Sequence, residues 1–456
     1  MSDIFVATSD YTQNGTVILG KNSDREPNEP QVIVRFPHRV QRDKSTNTTY
    51  IRVPQVDETF EVILSKPFQT WGAEMGVNEH GVAIANASVF TKVQFNKRND
   101  GLTGMDMLRI ALERSERAEA ALTTITKMLE QYGQDACSGY EDAGLYYSNS
   151  FIIADPRGAI LLETAGRNWV AKRVTGFFTL SNCLTIDGDY EWASRGVEDF
   201  ALGKGWLKPS ETFSFKACYS DPGSEKKYCA AQKRAQAGTA GMERARRFTV
   251  GDGMTILRSH AAGTEEQPIP GTMKSICVHT TGHQALDQTT GSLVAELRKN
   301  KTPTVWLTGT AAPCLSVYKP FFFPGKSLLP DQFRAPGPRA DASMWWQAEQ
   351  LHRASLKSYI KSRALILDEM NSMQKEFLEG EQQLFAQVHV SAIFNPNYDR
   401  YSFECLQSYS QTLRRWIPKI ANAPLKEHPF APLYRIYRKK LDDAVGVKLD
   451  STFNPV

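Results

Sequence analysis

No apolar run in this 456-residue chain is long enough to cross a bilayer, which removes a membrane-spanning reading. The N-terminus has no basic segment followed by an apolar one, so no secretory leader is expected. Basic and acidic residues are intermixed at a net charge of +4, and no basic tract is interleaved with aromatics, so neither nucleic acid nor a membrane surface is an expected partner. Seven cysteines, at 137, 183, 218, 229, 277, 314 and 405, include no CxxC pair. They read as reduced cytosolic thiols rather than a disulfide framework or a zinc site. A glycine-rich phosphate loop, an HExxH helix and a GxSxG elbow are all missing. The expected location is the cytoplasm.

What is present is an ordinary globular composition, 41% apolar and 23% charged. Residues 3–8 read as a strand, Asn14-Gly15 as a hairpin turn and Thr16–Gly20 as the return strand. Further β segments are expected at 31–36, 49–53 and 61–65, with a strand, turn and strand over 76–86. Helical spacing runs from about Met105 to Tyr132, with Ser115 a candidate N-cap between two helices. Strands resume over 151–154, 159–164, 169–174 and 178–181, and 290–298 reads as helix. Trp306–Thr310 is a further strand, and a proline-rich stretch at 330–338 precedes a mostly helical remainder. Strands, a helical pair, then strands again argue for an α+β fold.

Ser2 is the candidate reactive residue. Removal of Met1 would leave it with a hydroxyl and a free α-amine on one residue, and that amine has an ordinary pKa of roughly 7.7–8.0. Nucleophile and general base would then coincide. Such a residue needs a carboxylate to hold the amine, a nearby cation and donors for an oxyanion. The return strand ends in Gly20-Lys21-Asn22-Ser23-Asp24-Arg25, so pairing across the hairpin brings Lys21 and Asp24 toward Ser2. His80 and His279 read as structural or substrate-facing, and Cys183, Cys277 and Cys314 as core thiols.

The Gly20–Arg25 segment resembles the G-[KR]-N-x-D motif of linear-amide N-terminal-nucleophile (Ntn) hydrolases, a group with bile salt hydrolases, penicillin V acylases, dipeptidase A-type peptidases and secernins. Trp71–Val82, Ser150–Asp155, Leu162–Gly166 with Trp169, Ser275–His279 and Pro313–Phe321 resemble secernin segments in the same order, over roughly residues 1–325. The resemblance implies a four-layer αββα sandwich over 1–328, with a mostly helical extension over 329–456. It places Ser2 at the nucleophile position, where active relatives carry cysteine. Asp24 would bind the α-amine and Lys21 would be the basic neighbour. Asn182 would be an oxyanion donor, and Asn86 a second, weaker one.

The implied activity is that of a dipeptidase or related amidohydrolase acting on a small peptide or acyl-amide, with no metal or organic cofactor. The alternative is a catalytically inactive regulatory or interaction protein, with the C-terminal helices as the surface for a protein partner or a second copy.

Overall fold

A computed structural model describes residues 1–224, 230–261, 272–280, 287–325, 335–387, 396–426, 432–447 and 449. Cys229, the proposed boundary at 328/329 and part of the 330–338 stretch lie outside them.

Two antiparallel sheets form the centre. The N-terminal hairpin pairs β1 (Ser2–Ala7) with β2 (Val17–Arg25), Ser2 opposite Ser23 and Ile4 opposite Lys21. All residues of both strands are buried, which is why apolar and polar side chains do not simply alternate along them. The turn is a nine-residue connection from Thr8 to Thr16, longer than a two-residue hairpin loop, with Gly15 at φ +64°.

In the second sheet, the edge strand β3 (Gln31–Phe36) pairs with β8 (Val62–Pro67), followed inward by β9 (Met75–Asn78) and β10 (Ala83–Val89). Two short ribbons lie between β3 and β8 in sequence, β4 (Arg39–Val40) with β7 (Glu58–Thr59) and β5 (Ser45–Asn47) with β6 (Arg52–Pro54). The meander β11 (Ser148–Asp155), β12 (Gly158–Ala165) and β13 (Asn168–Val174) continues this sheet, and β15 (Trp192–Ala193) closes it. The first sheet has the order β14 (Phe177–Leu180), β1, β2, β16 (Gln288–Leu297), β17 (Thr304–Leu307), β18 (Lys319–Phe321).

The β16 segment corrects the helical reading of 290–298. It is the third central strand, paired along β2 with a register shift at Thr289/Gly291, and all ten residues are buried. Burial on both faces removes the period-2 signal, and Leu293, Ala295, Glu296 and Leu297 then pass for helix formers.

Helices α1 (Gly104–Arg114) and α2 (Ala118–Tyr132) cover the outer face of the second sheet, with Leu108, Leu112, Ile125 and Leu129 against Ile84, Ile153 and Leu162. A Thr103/Asp106 capping box starts α1. Ser115 is the C-cap of α1, not the expected N-cap; Arg117 precedes α2. Helices α3 (Ala231–Glu243) and α4 (Val250–Leu257) cover the outer face of the first sheet. A Cβ on Gly253 would stand 2.5 Å from the Phe5 ring, so a residue without one lets α4 sit close to β1. The two sheets bury Ile4, Val6, Met75, Ala85 and Ile152 between them, giving helix, sheet, sheet, helix: a four-layer αββα sandwich within an α+β fold.

The C-terminal region is helical. It comprises α5 (Met344–Ser355), α6 (Leu367–Gln387), α7 (Pro396–Ala421) and α8 (Pro432–Val445). These helices join the main core: Trp345 Nε1 donates to the Thr290 carbonyl at 2.9 Å, and Arg353 bonds Asn28 at 2.8 Å. No helix among the described residues is long and apolar enough to cross a membrane.

Candidate active site

The turn Asn78-Glu79-His80-Gly81 is the most motif-like stretch of the second sheet, and its chemistry is conformational. The Asn78 side chain accepts the His80 and Val82 N–H groups and donates to the Leu112 and Ser115 carbonyls at 2.9 and 2.7 Å. It joins a β-turn to the end of α1. His80 lies edge-on to Phe60, ring centroids 4.4 Å apart, on the surface side of that turn.

Pairing with β2 holds β1 to its first residue, so Ser2 is buried. Ser2 is 3% exposed. Its N–H donates to Asn182 Oδ1 at 2.9 Å, and its hydroxyl donates to the Met1 carbonyl at 2.6 Å. The same carbonyl accepts the Asp24 N–H at 2.9 Å. The Met1 ammonium donates to the Asp24 carbonyl at 2.6 Å and pairs with Asp287 at 2.9 Å. The Met1–Ser2 amide is thus clamped at both of its polar atoms.

Strand alternation sorts the β2 side chains. Lys21, Ser23 and Arg25 face the second sheet, while Asn22 and Asp24 face the helical layer. Lys21 is fully buried and its ammonium is engaged by the Glu74 carboxylate at 2.6 Å, the Glu74 and Asn86 carbonyls and Asn86 Oδ1. Burial holds the Lys21 amine below its ordinary range, against the pull of Glu74. Ser2 is not among its partners. Asn86 lies with Lys21, and its amide donates to Asn149 at 3.2 Å.

Asp24 Oδ1 accepts the Thr289 hydroxyl at 2.6 Å. Its Oδ2 is buried without a hydrogen bond, with Arg234 Nη1 3.5 Å away. Burial pushes this carboxyl up to about 6, with the chain-terminal ammonium and Arg234 pulling the other way and Asp3 adding to the rise.

The cation at the chain end is Arg234, fully buried on α3. It donates to Asp3 at 2.6 Å, to Asn182 Oδ1 at 2.6 Å and, at 3.4 Å, to the Ser2 carbonyl. No spacing signal pointed to it, because it comes from a short helix more than 200 residues downstream. Asn182 presents its carbonyl oxygen to Ser2. Its amide nitrogen donates to the Ser88 carbonyl and hydroxyl, at 2.8 and 2.9 Å, and the Arg234 donor fixes this orientation. Glu163 in turn holds the loop after Asn182, accepting the Thr185 and Ile186 N–H groups. Burial pushes its carboxyl up to about 7.

A buried strand end brings a serine, a carboxylate and a guanidinium together at the centre of an αββα sandwich. The chain belongs to peptidase family C69, whose model matches residues 5–370, and so to the amide-bond hydrolases. Among solved structures it is similar to a point mutant of conjugated bile acid hydrolase from Clostridium perfringens, at 14% identity and a TM-score of 0.39 over 67% of this chain and 88% of that one. Penicillin V acylase from Agrobacterium tumefaciens is similar at 13% identity and a TM-score of 0.38, over 70% of this chain and 85% of that one. The Caenorhabditis elegans ortholog of N-acylethanolamine-hydrolyzing acid amidase is similar at 11% identity and 0.34, over 64% and 91%.

Proposed function

We propose that the chain is a dipeptidase-like hydrolase of linear amides whose nucleophile is Ser2, exposed as the chain terminus by removal of Met1. The supporting observation is the Met1–Ser2 amide itself: an acyl carbonyl already stands beside the Ser2 hydroxyl, with a backbone N–H on its oxygen.

After trimming, the Ser2 nitrogen is a primary amine beside Asn182 Oδ1, and Asp24 Oδ2, buried without a hydrogen bond, is the carboxylate acceptor assigned to it. Asn182 and Asp24 hold that amine, and Arg234 pulls the Asp3 and Asp24 carboxyls toward their ionised forms against burial. The hydroxyl oxygen of Ser2 attacks the substrate carbonyl carbon while its proton passes to the α-amine. The Asp24 N–H donates to the oxygen that gains charge. Collapse expels the leaving amine, which takes the proton, and leaves an ester on Ser2. Water then adds to that ester, giving up a proton to the α-amine, and the acid departs as the serine hydroxyl is restored. Lys21 acts through Glu74 and Asn86, shaping the floor of the site rather than touching the nucleophile.

The deciding experiment combines intact-mass analysis with turnover of a dipeptide panel. Loss of Met1 together with hydrolysis that disappears in Ser2→Ala supports the reading. Unchanged hydrolysis in Ser2→Ala sinks it, and a chain that keeps Met1 and turns over nothing is the non-catalytic protein instead.

A further inference from the structure

Thr289, the donor to Asp24, also fixes the backbone of Val278: its N–H donates to the Val278 carbonyl at 3.0 Å, and its hydroxyl oxygen accepts the Val278 N–H at 2.9 Å. The side chains on either side of Val278, Cys277 and His279, meet two residues from distant parts of the chain. His260 follows α4, and Cys314 sits in the short 3-10 turn Pro313–Leu315. One ligating atom of each residue lies within 4.8 Å of all the others, and all but the half-buried His260 are fully buried. Around His279 Nε2 stand Cys277 Sγ at 3.8 Å, Cys314 Sγ at 3.5 Å and His260 Nε2 at 3.1 Å.

We propose that Cys277, Cys314, His260 and His279 bind one zinc ion in a closed structural site. Zn–S bonds of about 2.3 Å and Zn–N bonds of about 2.0–2.1 Å put the donor atoms of a tetrahedron about 3.3–3.8 Å apart. The three measured separations match those edges to within a few tenths of an ångström. Without an ion, two thiols and an imidazole converge on His279 Nε2, one lone pair facing up to three hydrogens. With it, two thiolates balance the charge of the ion, and two neutral imidazoles complete the set, so a buried site carries no net charge.

The shell behind His279 fixes its ring for this task. His279 Nδ1 is 2.8 Å from His352 Nε2, and His352 Nδ1 is 3.1 Å from the Glu349 carboxylate. A carboxylate oxygen only accepts, so His352 carries its hydrogen on Nδ1, His279 donates from its own Nδ1, and His279 Nε2 is left as a lone pair aimed into the cluster. Glu349 is itself held by Arg353 at 2.8 Å and Gln288 at 3.0 Å. The Tyr359 ring packs against His260 and His279, centroids 5.5 and 5.6 Å away. The ion would tie α4, the 275–280 segment, the 3-10 turn and, through His352, α5 into one unit beside Asp24. The four residues are spread over 260–314 outside any usual finger spacing, so no spacing signal in the sequence marks the cluster.

The test is metal analysis of the full chain, purified under reducing conditions without a polyhistidine tag. About one zinc per chain is expected, falling at least about tenfold in a Cys277→Ser/Cys314→Ser double variant. Replacing zinc by cobalt(II) in the wild-type chain should give thiolate charge-transfer absorption and the intense visible bands of a tetrahedral ion. That measurement decides the matter if the double variant does not fold. His352→Gln should keep the cobalt spectrum and weaken zinc binding about 10–100-fold. A folded wild-type chain that holds no zinc and takes up neither zinc nor cobalt(II) overturns the proposal, as does a Cys277–Cys314 disulfide in the reduced preparation.

Discussion

Arg234 Nη2 donates to Asn182 Oδ1 at 2.6 Å, and the same oxygen accepts the Ser2 N–H. That contact decides which way the Asn182 amide points. It sets the Asn182 carbonyl to accept the Ser2 N–H, while the amide hydrogens of Asn182 bind Ser88. The guanidinium does this with two nitrogens held in one plane, Nη1 on Asp3 and the Ser2 carbonyl and Nη2 on Asn182.

Arg234→Met should therefore be among the most damaging substitutions in the chain. It leaves Asp3 buried without its hydrogen-bonded cation and takes one of two nearby cations from Asp24, and breaking a buried pair in this way costs about 3–5 kcal/mol. Denaturant unfolding should show the loss, and pairing the substitution with Asp3→Asn should recover part of it. Full additivity of the two changes would mean that the Arg234–Asp3 contact carries no coupling.

Glu163 gives the pH dependence a sign. Its folded-state pKa is raised from 4.5 to about 7 by burial, so its contribution to stability is complete below about pH 4.5 and is lost as pH rises through 7. At 1.36 kcal/mol per unit the loss is on the order of 3 kcal/mol. Thermal unfolding midpoints should fall between pH 5 and pH 8, and Glu163→Gln, which keeps a carbonyl acceptor for the Thr185 and Ile186 N–H groups, should flatten that fall. An identical slope in both proteins would assign the pH dependence to other groups.

Asn78→Ala separates conformational from catalytic use of the Asn78–Gly81 turn. It leaves the Leu112 and Ser115 carbonyls and the Val82 N–H without their partner in the core, and an unsatisfied buried group costs about 1–3 kcal/mol. Stability should drop by on the order of 3 kcal/mol, while turnover per folded molecule stays within about twofold. A large fall in turnover at full stability would show that the turn serves the chemistry.

Much of this architecture can be read along the chain where the signal is local. The hairpin that carries Ser2, the turn before Gly81 and the Ser148–Val174 meander are each marked by alternation or turn residues. Local signal fails for β16, whose side chains are buried on both faces and read as helix. It fails again for partners brought in by tertiary folding: Arg234 reaches Asp3 across 231 positions, and Asp287 reaches Met1 across 286. Lys21 is legible as a cation that the hairpin brings toward the terminus, but its burial and its saturation by Glu74 and Asn86 are not, because those residues arrive from the other sheet.

The last prediction concerns the one position where the chain departs from the cysteine of the hydrolases it resembles. The Ser2 hydroxyl is a weak nucleophile unless an adjacent base takes its proton, whereas a thiol is partly ionised near neutrality and intrinsically more nucleophilic. The site around Ser2 is buried and fixed by the backbone pairing of β1, so a sulfur at this position meets the same neighbours. Ser2→Cys should keep the fold and raise single-turnover acylation of a dipeptide by at least about tenfold. Its rate should follow thiol ionisation up to the pKa of the free α-amine. Asp24→Asn in the same background should remove most of that gain by releasing the amine. With a mass spectrum showing the introduced cysteine as the chain terminus, failure of both would place the reactive group elsewhere in the chain.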